Sequence, residues 1–430
     1  MSDFVVLGDY ISIKKGKPPL LIPYFGNGAE IYLSPEYLRS NSDGIAAKAS
    51  SDSVRVSNGD TVLLWDGSNA GEFFKAKNGL VASTMARIGH STKFRPAFFF
   101  HLMKNSEQIL KNQTNGTGIP HVDKEILEAI QVFCPSESEQ NAIAQILDTL
   151  DTTIRQTEAI IAKLQQVKQG LLHDLLTRGI DANGQLRPPV EQAPHLYKES
   201  PLGWIPREWE VTGLKEKAPP LRSILRTGPF GSSLKGEHWC DTGRPVVTIG
   251  SLGTGKFIEE ELLYVSEEKA HALSDFQLIT GDIVFSRVAD VGRSVVIEEK
   301  QSGWIMSSNF MRISININQV NPYFLQQILT FDSRIKAQIR SNVNSGGRDV
   351  ANSAVIMGLS FVWPTLNEQD EILRRANIND KRTSKEEENL AKLKSLKSAL
   401  MDDLLTGRVR VTALLSGEKP ASKELKGKST

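Results

Sequence analysis

Residues 250–257, Gly250-Ser251-Leu252-Gly253-Thr254-Gly255-Lys256-Phe257, carry the glycines and the lysine of a loop that cradles phosphate, and Val246-Val247-Thr248-Ile249 before them reads as its strand. Phe257 stands where that chemistry needs a hydroxyl on Mg²⁺. The following Glu259-Glu260-Glu261 would also set three carboxylates against the phosphates. The residues therefore predict a turn, and no nucleotide site. Asn321-Pro322-Tyr323-Phe324 is one proline short of the Asn-Pro-Pro-Tyr motif of amino-methyl transfer, with no glycine-rich methyl-donor motif beside it. It reads as a helix start, with Asn capping and Pro in the first turn. The seven histidines and two cysteines, Cys134 and Cys240, show no metal-ligand spacing, and nothing marks a Ser–His–acid triad. Neither a catalytic residue nor a metal ligand is assigned.

Cations and glycines offer a different chemistry. Lys14, Lys15 and Lys17 put three positive charges in four positions beside two prolines, which suits anchoring of phosphates. Thr114, Asn115 and Thr117 lie around Gly116 and Gly118; Asn344 and Arg348 flank Gly346-Gly347. Glycines allow close backbone approach, and Asn and Arg match the edges of adenine and guanine. Arg226, Lys235, Arg287 and Arg293 flank further glycine-rich stretches and complete the candidate DNA contacts.

These loops hang on a duplication. Residues 135–177 laid on 364–406 without a gap give 15 identities in 43 positions, where chance gives roughly three. Each copy reads as a long helix. In the first, Leu147, Leu150, Ile154, Thr157, Ile161, Leu164, Lys168, Leu171 and Leu175 alternate by three and four, the seam spacing of a coiled coil. The second repeats the phase with Ala376, Asn379, Thr383, Glu386, Leu390, Lys397, Leu400 and Leu404, and its polar first half is expected to pack loosely or against something else. About 39 helical residues span roughly 58 Å. Upstream, Asn58-Gly59-Asp60-Thr61-Val62 echoes Thr280-Gly281-Asp282-Ile283-Val284. Ser83 to Ile88 echoes Ser308 to Ile313, and Pro96 and Pro322 each open an aromatic-rich segment. The expected fold is α+β: two mixed α/β domains joined by two long antiparallel coiled-coil helices, a pseudo-two-fold tandem repeat.

The chain resembles the specificity subunit of type I restriction–modification systems. The resemblance rests on Glu139-Gln140 followed by Ile143, Ile146, Leu147 and Asp151, and on the ending Leu404-Leu405-Thr406-Gly407-Arg408-Val409-Arg410-Val411. Gly203-Trp204-Ile205-Pro206 with Trp209, Gly228-Pro229-Phe230-Gly231-Ser232-Ser233-Leu234-Lys235 and Gly281-Asp282-Ile283-Val284-Phe285 add to it. The first copy departs from the ending, reading Arg178-Gly179-Ile180, which leaves the end of its helix open. The resemblance implies a target-recognition domain over 1–134, a spacer helix over 135–180, a connector over 181–203, a second target-recognition domain over 204–363, a second spacer helix over 364–411 and a mobile tail over 412–430. It implies double-stranded DNA as ligand, each domain reading one half of a split asymmetric target. It also implies two methyltransferase subunits and restriction/translocase subunits as partners. No cofactor of its own is expected: S-adenosylmethionine, ATP and Mg would belong to those partners. The competing reading is a stand-alone DNA modification enzyme or nuclease.

The 430 residues carry 51 Lys and Arg against 50 Asp and Glu, a net charge of +1. That excludes a polycationic binder while leaving room for loops that read bases. Two cysteines cannot make a disulfide framework, and no apolar run approaches the roughly 18 residues of a membrane span, so a cytoplasmic chain with no membrane partner is expected.

Overall fold

The computed structural model describes residues 3–40, 44–112, 120–253, 255–288, 290–342 and 350–415. The chain divides into two units, 1–159 with 387–430 and 160–386, so each long helix contributes one half to each unit.

In the first unit a four-stranded antiparallel sheet runs in the order Ile11–Lys15, Met85–His90, Thr61–Leu64, Phe73–Lys75. A five-stranded sheet includes one parallel pairing, Tyr32 with Leu80. The strand Phe4–Val6 pairs with Gln131–Phe133. The aromatic segment after Pro96 forms the helix Pro96–Asn105, whose Phe98, Phe99 and Met103 are buried against Phe73 and Ile88 of the sheet and against Leu404 and Leu405.

The second unit repeats the plan. Its four-stranded sheet runs Leu225–Thr227, Phe310–Ile313, Ile283–Ser286, Ser294–Val296, the same order of first, last and two middle strands. A second sheet again has one parallel pairing, Val246 with Ile305, and Glu210–Thr212 pairs with Phe361–Trp363. Asn321 caps the helix Pro322–Phe331 with its side chain, accepting from the Tyr323 N–H at 2.9 Å. In both copies an aspartate closes the turn into the central strand: Asp60 accepts from Ser57 N–H at 3.0 Å and Asp282 from Ile279 N–H at 2.9 Å. That is the physical reason the Gly-Asp pair recurs.

The long helices are Glu137–Thr177 and Leu366–Leu405. In the first unit they run antiparallel: Asp151 bonds Lys397, and Glu158 pairs with Lys394 at 2.8 Å. In the second unit Lys168 pairs with Asp380 at 2.6 Å, while Leu175 and Leu176 share a core with Ile372 and Leu373. The seam residues of both helices are buried or half-buried. In the polar half of the second helix Ala376 and Asn379 are 2% and 7% exposed, while Thr383 and Glu386 are half-buried.

Gln140 and Gln369 do one job twice. Each accepts from the backbone N–H before a short helix, Arg95 at 2.8 Å and Asn321 at 2.9 Å. Each also donates to the proline carbonyl before its own long helix, Pro135 at 3.0 Å and Pro364 at 2.9 Å. The differing helix ends also resolve. Gly179 follows the first helix at φ 62° and Gly407 the second at φ 70°, both left-handed caps displaced by one residue in the repeat.

A Cβ at Gly407 would lie 2.7 Å from the Phe133 ring. Gly407→Ala is therefore expected to destabilise the first unit by about 1–3 kcal/mol in urea titration, from the left-handed backbone and the displaced ring. Gly170→Ala, at a mid-helix site with nothing within 4 Å of its Cβ, should instead stabilise by about 0.5–1 kcal/mol. Equal effects at the two sites would refute this account of the cap.

Among the described residues no helix is long and apolar enough to cross a membrane. The tail from Ser416 lies outside the described residues.

Candidate nucleic-acid interface

The first strand of each four-stranded sheet sets a cation directly opposite another on the last strand: Lys14 faces Arg87, and Arg226 faces Arg312. Like charges at such positions repel, so each pair needs an anion nearby. In the first unit Asp60 Oδ2 lies 3.2 Å from Arg87 Nε. In the second, Asp282 holds Arg222 at 2.9 Å and Asp275 holds Arg226 at 2.7 Å. The Arg226 guanidinium also lies over the Phe276 ring, 5.0 Å from its centroid. Arg312 is 4% exposed and donates to the Ser223 carbonyl at 3.2 Å and hydroxyl at 2.9 Å. Burial, and then the neighbouring Arg222 charge, push its pKa down to about 10.

The two copies differ in what they leave open. In the second unit internal pairs take up the cations. In the first, Lys14 is exposed and makes no hydrogen bond or ion pair with other described residues. It lines a cleft of about 530 Å³ with Ser12, Asn58, Asp60, Arg87 and His90. Two cations, a hydroxyl and an amide around one carboxylate offer donors of the kind that phosphate oxygens accept.

The other sequence candidates scatter around these sheets. Lys15 is spent on Asp66 at 2.8 Å, while Lys17 is exposed. Lys235 is exposed at the start of a short turn, 3.9 Å from Glu237. Arg287 and Arg293 flank one hairpin loop, where the Ser286 N–H donates to the Arg293 carbonyl at 2.8 Å. Arg293 donates to the Leu252 carbonyl at 2.8 Å, which commits it to the fold. The buried Nε of Arg287 has no hydrogen-bond partner among the described residues. Thr114, Asn115, Thr117, Asn344 and Arg348 lie outside the described residues. Sequence reasoning missed Arg87 and Arg312, although both sit in the echoed segments 83–88 and 308–313; an arginine at the same place in both copies was the available signal.

The glycine-rich stretch before Phe257 folds as a turn, with Leu252 bridging Phe257 and the Gly253 N–H donating to the Lys256 carbonyl at 2.9 Å. A short Glu259–Glu261 turn follows it instead of the helix that phosphate cradling requires. One group could offer three metal ligands, His101, Asp148 and Asp151, with atoms within 4.8 Å of one another. However, Lys75 lies 3.3 Å from Asp148 and Lys397 bonds Asp151, so both carboxylates already have ammonium partners. Burial lowers the pKa of His101, favouring its neutral form.

Residues 2–166 and 221–395 match the family model of the type I restriction modification DNA specificity domain. The chain is 30% identical over 421 residues to the type I restriction enzyme MjaVIII specificity subunit of Methanocaldococcus jannaschii, covering 96% of this chain and 94% of that one. It is 21% identical to the type I restriction enzyme EcoBI specificity subunit of Escherichia coli, over 84% of this chain and 77% of the relative. In fold it is similar to the crystal structure of the type I restriction–modification S subunit from M. genitalium, with a TM-score of 0.54 at 14% identity, covering 94% of this chain and 95% of that one. A twice-built sheet with paired cations, two matched domains and a full-length relative lead to one assignment: the chain belongs to the family of type I restriction–modification specificity subunits, with two DNA-specificity domains in tandem.

Proposed function

We propose that each unit reads one half of a split, asymmetric target in double-stranded DNA, and that the paired helices set the half-site spacing and dock two methyltransferase subunits. Restriction/translocase subunits join for cleavage. The chain supplies recognition and scaffolding and no catalytic centre. S-adenosylmethionine, ATP and Mg belong to the partner subunits, and the complex works in the cytoplasm.

The observation that carries this reading is one topology built twice with different side chains at matching positions. Lys14 in one copy is Arg226 in the other, and Lys14 lines a cleft while Arg226 is paired with Asp275. Like modules with unlike faces suit unlike half-sites. Two further clefts support paired docking. One, of about 570 Å³, is lined by Ala97, Asn141, Ala144, Gln145 and Asp148. The other, of about 530 Å³, is lined by Tyr323, Asp370, Leu373, Arg374 and Asn377, the matching positions of the repeat.

Methylome sequencing of a host with and without this chain tests the proposal. Methylation at a bipartite, non-palindromic motif should vanish without it. An unchanged methylome, or loss of a palindromic motif, would overturn the reading.

A further inference from the structure

In each unit, the loop leaving the cation-bearing first strand of the four-stranded sheet ends on large apolar side chains that the fold leaves in water. In the first unit these are Leu20, Leu21, Tyr24 and Phe25, with Tyr24 73% and Phe25 56% exposed; in the second it is Phe230, 84% exposed. Both loop roots are pinned in the same way. The Gly16 N–H donates to the Met85 carbonyl at 2.8 Å and the Gly228 N–H to the Phe310 carbonyl at 3.0 Å. A Cβ would lie 2.1 Å from the Ala82 carbonyl oxygen at Gly16 and 2.0 Å from that of Ser307 at Gly228. A turn bond from the Ser233 N–H to the Phe230 carbonyl, 2.8 Å, closes the second loop behind its phenyl ring. Phe230 thus stands two residues past its pinned root, while Tyr24 and Phe25 stand beyond the short strand Leu20–Leu21, which pairs with Ala47 and Lys48.

The surrounding charge names the occupant. Beside the first loop Lys14 and Lys17 are exposed and Lys15 pairs with Asp66; beside the second, Arg226 pairs with Asp275 and Lys235 is exposed, 3.9 Å from Glu237. The first loop also continues directly from the open Lys14–Arg87 cleft. Apolar tips among cations suit neither a lipid-free core nor an acidic peptide groove as well as they suit a duplex. There cations meet phosphate, and an aromatic ring enters a partly unstacked base step.

We propose that Phe230, and the Tyr24–Phe25 pair, are wedges that insert at a base step of the half-site each unit reads, opening the stack there. The proposal rests on the DNA-reading function above. It adds specificity through the cost of unstacking, which differs between steps and is lowest at pyrimidine–purine steps.

The test uses the complex assembled with its methyltransferase subunits and a duplex carrying the methylome-mapped target, with 2-aminopurine placed at each step of either half-site in turn. Binding of the unmodified complex should brighten 2-aminopurine at one step in each half. Phe230→Ala should abolish the rise only in the half-site of the second unit and weaken binding about 5- to 150-fold. Tyr24→Ala with Phe25→Ala should do the same only for the first, while Phe230→Trp should retain the signal. Target binding with no brightening at any step, or a Phe230→Ala complex that binds and brightens unchanged, overturns the wedges and leaves DNA reading intact. Loss of the methyltransferase subunits from the Phe230→Ala complex would make the loop a protein-docking surface and also overturn them. A complex that does not prefer its target over a scrambled duplex in fluorescence anisotropy would remove the DNA-reading premise itself.

Discussion

Exchanging residues 210–363 for the equivalent segment of another family member should change one half of the methylated target and leave the other half as it was. The junction follows from packing. Residues 210–212 pair with 361–363, Glu210 opposite Trp363 and Thr212 opposite Phe361, so the two ends of the segment close on each other. Earlier junctions cut structure that belongs to the helices. Trp204 lies inside a hairpin with 197–200, and Ile205 and Trp209 are buried among Leu175, Leu176, Ile372 and Leu373. A junction at 204 would trade that packing for foreign side chains and favour misfolding of the chimera; a junction at 210 keeps it. Methylome sequencing of a host carrying the exchanged chain reads the result. A motif altered in both halves, or in neither, would rule out independent reading by the two units.

The second large effect is on stability. Glu368→Ala should lower the stability of the second unit by about 3–5 kcal/mol, the usual cost of stranding one partner of a buried ion pair. At its two oxygens Glu368 accepts from Arg187 Nη1 at 2.5 Å, Trp209 Nε1 at 2.9 Å and the Ile180 N–H at 2.8 Å. The Arg187 and Glu368 side chains are 8% and 10% exposed, so water cannot replace what is lost. For a unit of this size the midpoint in scanning calorimetry should fall by about 6–20 °C. Glu371→Ala is the control. Hydrogen bonds from Arg374 and Arg375 pull its carboxyl down to about 2, yet Arg374 is largely in water and Glu371 keeps 28% of its side chain exposed, so water can replace much of what is lost and the midpoint should move far less than for Glu368→Ala. Equal losses from the two substitutions would show that burial is not what makes Glu368 matter.

The pair Glu139–Arg410 is the counterpart of Glu368–Arg187. Glu139 accepts from Arg410 Nε at 2.9 Å and Nη2 at 2.7 Å at the start of the first helix, and these bonds hold its carboxyl below its ordinary range. Each helix start is thus fastened to the segment that follows the other helix. The repeat alignment shows the two glutamates as a matched pair, but not their arginines. Arg187 lies eight residues beyond Gly179 and Arg410 three beyond Gly407, so aligning the repeats does not bring the two arginines together.

Local order explains what could be read along the chain. The three-and-four spacing marked both long helices and the seam they bury, because a helix brings residues of one stripe together by its own turn. The Gly-Asp turns, the Asn321 cap and the failure of the phosphate-loop match at Phe257 were likewise decided within a few residues. The duplication announced two like domains, and the family resemblance supplied their role. Only the tertiary structure set Lys14 opposite Arg87 and Arg226 opposite Arg312, paired Arg226 with Asp275, and left Tyr24, Phe25 and Phe230 exposed. Strand partners are chosen by pairing across long stretches of chain, and their register depends on which face each strand buries. No spacing along the sequence encodes that choice, so which cations share a face is decided by the fold.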